Sequence, residues 1–336
     1  MSPGRARARA RLAILSAIAA AALWLAFRHI DPHALRASLA GADLRWVAAA
    51  LAGVAVATAL AVTRWRLLFY PDPSRSWRHL TYALLVGQMA NVVLPLRLGE
   101  IARVGVLSES ERIPAARVLA TIAVERLADV VMLGVGTALV FVTMTVPQGL
   151  EAPGRAVLVV ALASFAASLA LAWRPQALVR VTERLSGRAP VRLRAPLQRL
   201  VGDALAGLSA LGSYRRAFVF WALSVACLVS AASVNYLLFR AFHFPLPASA
   251  ALLLLVVLQI GNTAVSVPGN LGVFHYLTLL VLLSRGIDRN AALAFAFVLY
   301  AVTLGPKVLL GVVILAFGPS GFTFASVFRR KEALAE

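Results

Sequence analysis

The chain has 336 residues, of which 61% are hydrophobic, and its mean hydropathy is +0.83. This apolar share is higher than that of soluble domains and identifies a polytopic membrane protein. The formal net charge of +19 does not indicate nucleic-acid binding, because nearly all basic residues lie in short segments between apolar runs. There they set topology and attract anionic lipid headgroups. With Cys227 as its single cysteine, the chain has neither a disulfide framework nor a thiolate metal cluster.

Apolar runs long enough to cross about 30 Å of hydrocarbon recur along the chain. In order, they are 12–28, 44–63, 117–145, 156–173, 217–239 and 290–317. Arginines precede the first run, a pattern shared by signal peptides and first transmembrane spans, and we interpret it as an uncleaved span. Two further apolar regions, 80–107 and 248–284, are each broken by proline and glycine.

The distribution of arginine predicts the side of the membrane on which each connection lies. The connector 174–216, the segment 64–79 and the C-terminal tail are basic and predicted to be cytoplasmic, whereas 146–155 is predicted to lie outside. These assignments agree if each broken region is a re-entrant helical hairpin. Both termini are then cytoplasmic, as in a multi-pass protein of the bacterial inner membrane. Two short spans in each broken region preserve the same sidedness, so charge alone does not separate the two versions.

The two broken regions share a pattern that indicates an internal repeat. A shift of 173 positions aligns P-x-x-x-G in PLRLG with the same pattern in PGNLG. Because an odd number of spans separates the copies, they are predicted to have opposite orientations. The predicted parts are an N-terminal span and external loop 1–43, a first repeat 44–145 with hairpin 80–107, a linking span and basic connector 146–216, a second repeat 217–317 with hairpin 248–284, and a cytoplasmic tail 318–336.

Polar and charged residues surround the first break: Gln88, Asn91, Arg97, Glu100 and Arg103. If the stretch after Pro95 is helical, the last three recur at i, i+3 and i+6 and share one broad face. The following apolar run contains E-R-x-x-D, which places Glu125 and Asp129 on one face of a helix with Arg126 beside them. A charge at the membrane centre costs at least about 2.5 kcal/mol. These residues are therefore predicted to pair with one another or to contact a substrate.

The second break has a polar set of its own: Gln259, Asn262, Ser266, Asn270 and His275, with Lys307 in the last span. Helix N-termini at a break carry partial positive charge and favour an anionic group. The residues predicted to form the two breaks are Pro95, Gly99, Pro268, Gly269 and Gly272. Both breaks are predicted to line one polar cavity near the middle of the membrane.

Each of these residues also has a purely structural interpretation. Glu100 with Arg103, and Glu125 with Arg126, would neutralise each other and hold helices in register. His275 is equally compatible with a satisfied core histidine. Lys307 either reaches an interface or fills the cavity.

Three motifs together carry a resemblance to a known family. They are N-x-x-x-P-x-R-x-G-E-x-x-R from Asn91 to Arg103, E-R-x-x-D from Glu125 to Asp129, and V-P-G-N-L-G from Val267 to Gly272. The chain resembles, over roughly residues 10–318, the flippase-like family of the membrane region of lysylphosphatidylglycerol synthase. The resemblance implies a lipid flippase, or a component of lipid and glycolipid export. It assigns cavity roles to Asn91, Arg97, Glu100, Arg103, Glu125 and Arg126.

Two departures from the family pattern bear on the substrate. His275 stands where many relatives have an acid, and Tyr300-Ala301 stands where many have a Tyr-Arg pair. The chain ends at Glu336, so we expect no aminoacyl-transferase domain and no synthase activity.

The resulting hypothesis is a transporter of an anionic or polyprenyl-phosphate-linked lipid, which is not an enzyme and needs no cofactor or metal. Asn262, Asn270 and His275 join the six family positions as predicted substrate-binding residues. Membrane lipids are the expected partners, nucleic acid is not, and a homo-oligomer or association with lipid-pathway enzymes is left open. One alternative is a membrane enzyme that uses Glu100 or Glu125 as an acid-base group on a lipid-linked substrate. Another is a scaffold that recruits lipid-modifying enzymes through the basic connector.

Overall fold

A computed structural model describes residues 32–69, 75–93, 98–144, 151–173, 213–264, 268–270 and 272–317. Several predicted features lie outside the described residues. They are the first apolar run, Pro95 and Arg97 of the first break, Ser266, most of the basic connector, and the C-terminal tail.

All regular secondary structure in the described part of the chain is helical. The helices are α1 (Pro32–Ala40), α2 (Leu44–Leu67), α3 (Trp77–Val93), α4 (Gly99–Glu111), α5 (Ala115–Thr143), α6 (Glu151–Trp173), α7 (Tyr214–Ala241), α8 (Ala248–Ala264), a 3-10 turn (Pro268–Asn270), α9 (Val273–Leu283) and α10 (Arg289–Phe317). This confirms the predicted all-α polytopic membrane protein. Helix α1 lies within the region predicted as an external loop.

The apolar surface of the long helices fits a lipid environment. Helices α2, α7 and α10 are long and apolar enough to cross a membrane. Large apolar side chains such as Val56, Val142, Val229 and Leu309 are exposed on the outside of α2, α5, α7 and α10. In water such a surface would be unfavourable, whereas in hydrocarbon it costs nothing.

Each broken region consists of two helical arms. In the first region α3 has 17 residues and α4 has 13, and in the second α8 has 17 and α9 has 11. At a rise of about 1.5 Å per residue, α4 and α9 extend only about 20 and 17 Å. Both are shorter than the roughly 30 Å of a hydrocarbon core.

Helices α2 and α7 pack side by side in opposite directions. At one end the backbone N–H of Asp43 donates to the carbonyl of Ala241 over 2.9 Å. At the other end Arg64 Nη1 donates to Ser224 Oγ over 3.4 Å. These two helices occupy corresponding positions in the two halves of the sequence.

Helices at corresponding positions in the two halves of the sequence make equivalent contacts. Helix α3 packs against α10, and its counterpart α8 packs against α5. Helix α4 packs against α5, and α9 packs against α10. There are also two buried apolar clusters, each mainly from one half. One surrounds Trp65 and Leu80 and includes Phe220, and the other surrounds Phe239 and Phe295 and includes Ala50. The 3-10 turn of the second break contacts α3, so the second break lies against the first hairpin.

Candidate functional site

A cavity of about 280 Å³ lies between α2, α3, α4, α5, α7 and α8. Its charged lining residues are Arg64, Arg103, Glu125, Arg126 and Asp129, and its neutral polar ones are Gln88, Asn91, Ser224 and Gln259. We call it the arginine cavity. Its walls therefore combine residues of the first hairpin with residues of the second. The described break residues Gly99, Pro268, Gly269 and Gly272 do not line it, so a cavity lined by both breaks stays a prediction.

Glu125 of α5 lies at the centre of the charged group and is almost completely buried. Its Oε2 accepts a hydrogen bond of 2.6 Å from Arg103 Nη2, and its Oε1 accepts one of 3.3 Å from Arg64 Nη2. The exposed fractions of the three side chains are 4%, 2% and 4%. One carboxylate thus accepts hydrogen bonds from two guanidinium groups in a place that water hardly reaches.

The ion pairs continue from Arg64 toward a more exposed end. Arg64 Nη2 also donates to Asp129 Oδ1 over 2.7 Å, and Asp129 Oδ2 accepts from Arg126 Nη1 over 3.0 Å. Arg126 Nη2 lies 3.1 Å from Glu100 Oε1. Three bases and three acids therefore alternate in one chain of pairs that connects α2, α4 and α5.

The pairing differs from the structural interpretation of the sequence. Glu100 was expected to neutralise Arg103, and Glu125 to neutralise Arg126. Instead Glu100 pairs with Arg126, and Glu125 pairs with Arg103 and Arg64. The expectation considered neighbours within one helix, whereas the partners come from helices that pack against each other. These ion pairs therefore fix the first hairpin to α5 and α2.

Arg103 is held on one side by an aromatic ring. Its guanidinium carbon lies 4.0 Å from the centre of the Trp65 ring, a cation–π contact. Trp65 Nε1 in turn donates to Thr121 Oγ1 over 3.0 Å, which fixes the ring. Arg103 Nε and Nη1 have no hydrogen-bond partner. Arg103 therefore keeps unused donors beside a cavity.

The first break is stabilised by close contact between its two arms. Asn91 Oδ1 accepts a hydrogen bond of 2.8 Å from the backbone N–H of Gly99, at the start of α4. A Cβ added at Gly99 would collide with the carbonyl of Gly87 and with the Asn91 side chain. Asn91 thus caps α4 while lining the arginine cavity, and Gly99 is required for the close approach.

The second break turns through residues with left-handed backbone conformation. Gly269 has a φ of 65°, Asn270 of 50° and Gly272 of 81°. Glycine adopts this region without steric penalty. Tyr300 of α10 donates from its hydroxyl to the Gly269 carbonyl over 2.7 Å. The turn is therefore attached to the last helix.

His275 lies apart from the cavities that the structure describes. It is 2% exposed and surrounded by the rings of Phe274, Phe297 and Tyr300, with centroids 4.9 to 6.0 Å away. Neither ring nitrogen has a hydrogen-bond partner. Neither His275 nor Asn270 lines a described cavity, so their predicted substrate contact stays a prediction.

A second polar cavity of about 260 Å³ adjoins the first. It lies between α2, α3, α7, α8, α9 and α10, and its polar lining residues are Thr58, Gln88, Asn235, Gln259, Asn262, Thr303 and Lys307. We call it the lysine cavity. Of the predicted substrate residues, Asn262 lines this cavity, whereas Asn91, Arg103, Glu125 and Arg126 line the arginine cavity.

Sequence reasoning missed Arg64 as a site residue. It was assigned to a cytoplasmic basic segment because it stands near the end of an apolar run, among other arginines. Its position inside α2, three residues before the last residue, Leu67, does not distinguish it from Arg66, which lies in the same helix and is exposed. Gln88 and Gln259 were noted but not chosen. Each precedes an asparagine by three positions in the first arm of its hairpin, a repeated Q-x-x-N that marks both cavities.

No group of three His, Cys, Asp or Glu side chains suited to a metal ion occurs among the described residues. The carboxylates that line the arginine cavity are already paired with arginine side chains. The arrangement suits the binding of an anionic group by arginine more than the coordination of a cation.

The fold and the cavity define a class: a multi-pass α-helical membrane protein with an ion-paired polar cavity between broken helices. The chain belongs to the family described as the lysylphosphatidylglycerol synthase TM region, whose model matches residues 11–311. This confirms the family inferred from the motifs. A search of curated proteins gave no match. The family relates the chain to membrane lipids and to their modification or transport.

Proposed function

We propose that the protein moves a lipid with an anionic headgroup between the leaflets of the bacterial inner membrane. The single observation that carries the proposal is the arginine cavity, in which three guanidinium groups lie between apolar helices. Charges are retained in such a place when they serve a pathway or a ligand. The phosphate of a phospholipid or a polyprenyl-phosphate-linked sugar is the ligand that arginine suits best.

The residues have separate roles in this proposal. Arg103 and Arg126, with Arg97 of the first break, bind the headgroup phosphate. Glu125 holds Arg103 in place, because both its oxygens accept from arginines. Glu100, at the exposed end of the ion pairs, remains the candidate for proton exchange. The acyl or prenyl chains stay in the surrounding lipid.

The proposed topology has six spans, two re-entrant hairpins and both termini in the cytoplasm. The short second arms α4 and α9 support re-entrant hairpins over pairs of full spans, because neither covers the hydrocarbon thickness. The antiparallel packing of α2 and α7 and the exchanged helix contacts support an inverted repeat. Two inverted halves around one cavity suit alternating access to a headgroup.

Leaflet exchange in vesicles tests the proposal. Protein is reconstituted into phosphatidylcholine vesicles that contain phosphatidylglycerol labelled with a fluorophore on one acyl chain, and a membrane-impermeant quencher reports the outer leaflet. We expect exchange by the wild type and an Arg103→Gln rate at least about tenfold lower, since the lost interaction is of the charge-assisted class. Arg240→Gln is the matched control, because Arg240 is exposed and stacks on Trp46 outside the described cavities.

Recovery of the labelled lipid distinguishes the alternatives. Unchanged lipid with exchange supports transport, whereas a covalently altered lipid supports the enzyme that uses Glu100 or Glu125. Absence of exchange by the folded wild type would favour the scaffold. A folded Arg103→Gln variant with the wild-type rate would remove the arginine cavity from the mechanism.

A further inference from the structure

The arginine cavity and the lysine cavity are arranged one after the other. Along α2 the lining residues lie between 57 and 64 for the first cavity and between 54 and 58 for the second. Along α7, which runs antiparallel to α2, the lining residues lie between 224 and 231 for the arginine cavity and between 231 and 235 for the lysine cavity. Both shifts point to the end where Asp43 meets Ala241. At about 1.5 Å per residue, the midpoints of the two lining ranges along α2 are about 7 Å apart.

Two glutamines connect the cavities. Gln88 of the first hairpin and Gln259 of the second line both of them. Gln88 Oε1 and the neighbouring Asn262 Oδ1 are buried without a hydrogen-bond partner. The boundary is therefore formed by side-chain amides, which interact with polar groups of either charge.

Lys307 supplies the only charge among the described lining residues of the lysine cavity. No carboxylate lines it in the described part, and Lys307 forms no ion pair or hydrogen bond with the described residues. The chain contains only two lysines, Lys307 and Lys331. An ammonium group in such a cavity is costly without an anion, so Lys307 needs an anionic ligand to stay charged there.

We propose that Lys307 forms a second phosphate-binding site, which receives the lipid headgroup from the arginine cavity. The inference rests on the proposed function and deepens it, because it gives the headgroup two positions about 7 Å apart. The guanidinium groups hold the phosphate at the first position. The flexible ammonium of Lys307 and the amides of Asn235 and Asn262 hold it at the second.

Amine acylation measures occupancy of Lys307 without requiring transport. The full chain is placed in nanodiscs of phosphatidylcholine or of phosphatidylcholine with phosphatidylglycerol and treated with a small membrane-permeant acylating reagent. Acylation of Lys307 is quantified by mass spectrometry and divided by the acylation of Lys331. This ratio corrects for the effect of the lipid surface charge on the reagent. A bound phosphate keeps the amine as ammonium, which does not acylate. We expect relative acylation to be about tenfold lower with phosphatidylglycerol, as for one charge-assisted contact.

The outcomes separate the source of the phosphate. Protection by phosphatidylglycerol and not by inorganic phosphate supports a headgroup site. Protection by inorganic phosphate alone overturns the assignment to a lipid. Equal relative acylation in both lipids, with or without inorganic phosphate, overturns the site.

Exchange assays separate this inference from the proposed function. We expect Lys307→Met to slow phosphatidylglycerol exchange and Lys307→Arg to retain it. If the wild type exchanges lipid and Lys307→Met is equally fast, the second site is wrong and the proposed function stands. If Lys307 is protected but the wild type exchanges no lipid, the proposed function is wrong and the binding site stands.

Discussion

Replacement of Glu125 by glutamine removes the central negative charge while nearly preserving side-chain volume. Arg103 then has no carboxylate partner among the described residues, although its contact with the Trp65 ring at 4.0 Å remains. Arg64 keeps Asp129 at 2.7 Å. Breaking a buried ion pair from one side costs about 3 to 5 kcal/mol. Because glutamine still accepts one hydrogen bond and both arginines keep a contact, we expect a loss at the lower end, about 3 kcal/mol.

Reversible unfolding of the purified protein in mixed micelles, followed by tryptophan fluorescence, measures this loss. Glu151→Gln is the matched control, because Glu151 pairs with Arg155 at 4.0 Å while both side chains are more than half exposed. An exposed pair contributes at most about 0.5 kcal/mol on a helix. The same chemical change is therefore made once inside the ion-pair chain and once on the surface.

A double substitution decides whether the loss comes from an uncompensated charge. Glu125→Gln combined with Arg103→Gln removes both members of the closest pair, so the double variant should be more stable than the sum of the single losses implies. Glu125→Gln within about 0.5 kcal/mol of the wild type, or strict additivity of the two changes, would refute an energetic role for the buried pair.

Three further changes test the structure around the site. Gly99→Ala should force the hairpin arms apart and cost about 1 to 3 kcal/mol, measured by thermal unfolding, whereas Gly305→Ala, with no atom near its added Cβ, should not destabilise. Tyr300→Phe removes the 2.7 Å bond to the second break and should cost about 1 kcal/mol in the same assay, and no change would show that the bond is dispensable. Glu111→Gln weakens the contacts that join α4 to the start of α3, including the 2.7 Å contact to His79. Hydrogen exchange in the first turn of α3 should increase, and unchanged exchange would contradict this.

The parts of the fold that the sequence predicted are those encoded locally. Apolar runs of sufficient length predicted the helices now seen as α2, α5, α6, α7 and α10. Proline and glycine predicted where the hairpin arms end, because each limits backbone geometry regardless of its neighbours. An acid inside an apolar run, such as Glu125, was recognisable for its energetic cost alone.

The pairing of the charges was not encoded locally. Arg64 and Glu125 are 61 positions apart, and their contact exists only because α2 and α5 both adjoin the same cavity. Arg64 also resembles a topological anchor, since arginine near a helix end normally reaches the aqueous interface. Only the register of helix packing reveals that its side chain is directed inward. Site residues that come from distant helices thus require the tertiary structure.

The ion pairs of the arginine cavity become more exposed along their length, and under the proposed function this order determines how a headgroup is bound. Arg103 and Glu125 are 2% and 4% exposed, whereas Arg126 and Glu100 are 49% and 29% exposed. An exposed pair is worth at most about 1 kcal/mol, so a phosphate can displace Glu100 from Arg126 at little cost. Displacing Glu125 from Arg103 would be far more costly. Arg126 is therefore the residue that captures the headgroup first, while Arg103 keeps its bond to Glu125 and binds the phosphate through its unused Nε and Nη1 donors. Lys307 has no acid to displace, which makes the lysine cavity the simpler acceptor once the headgroup has left Arg126.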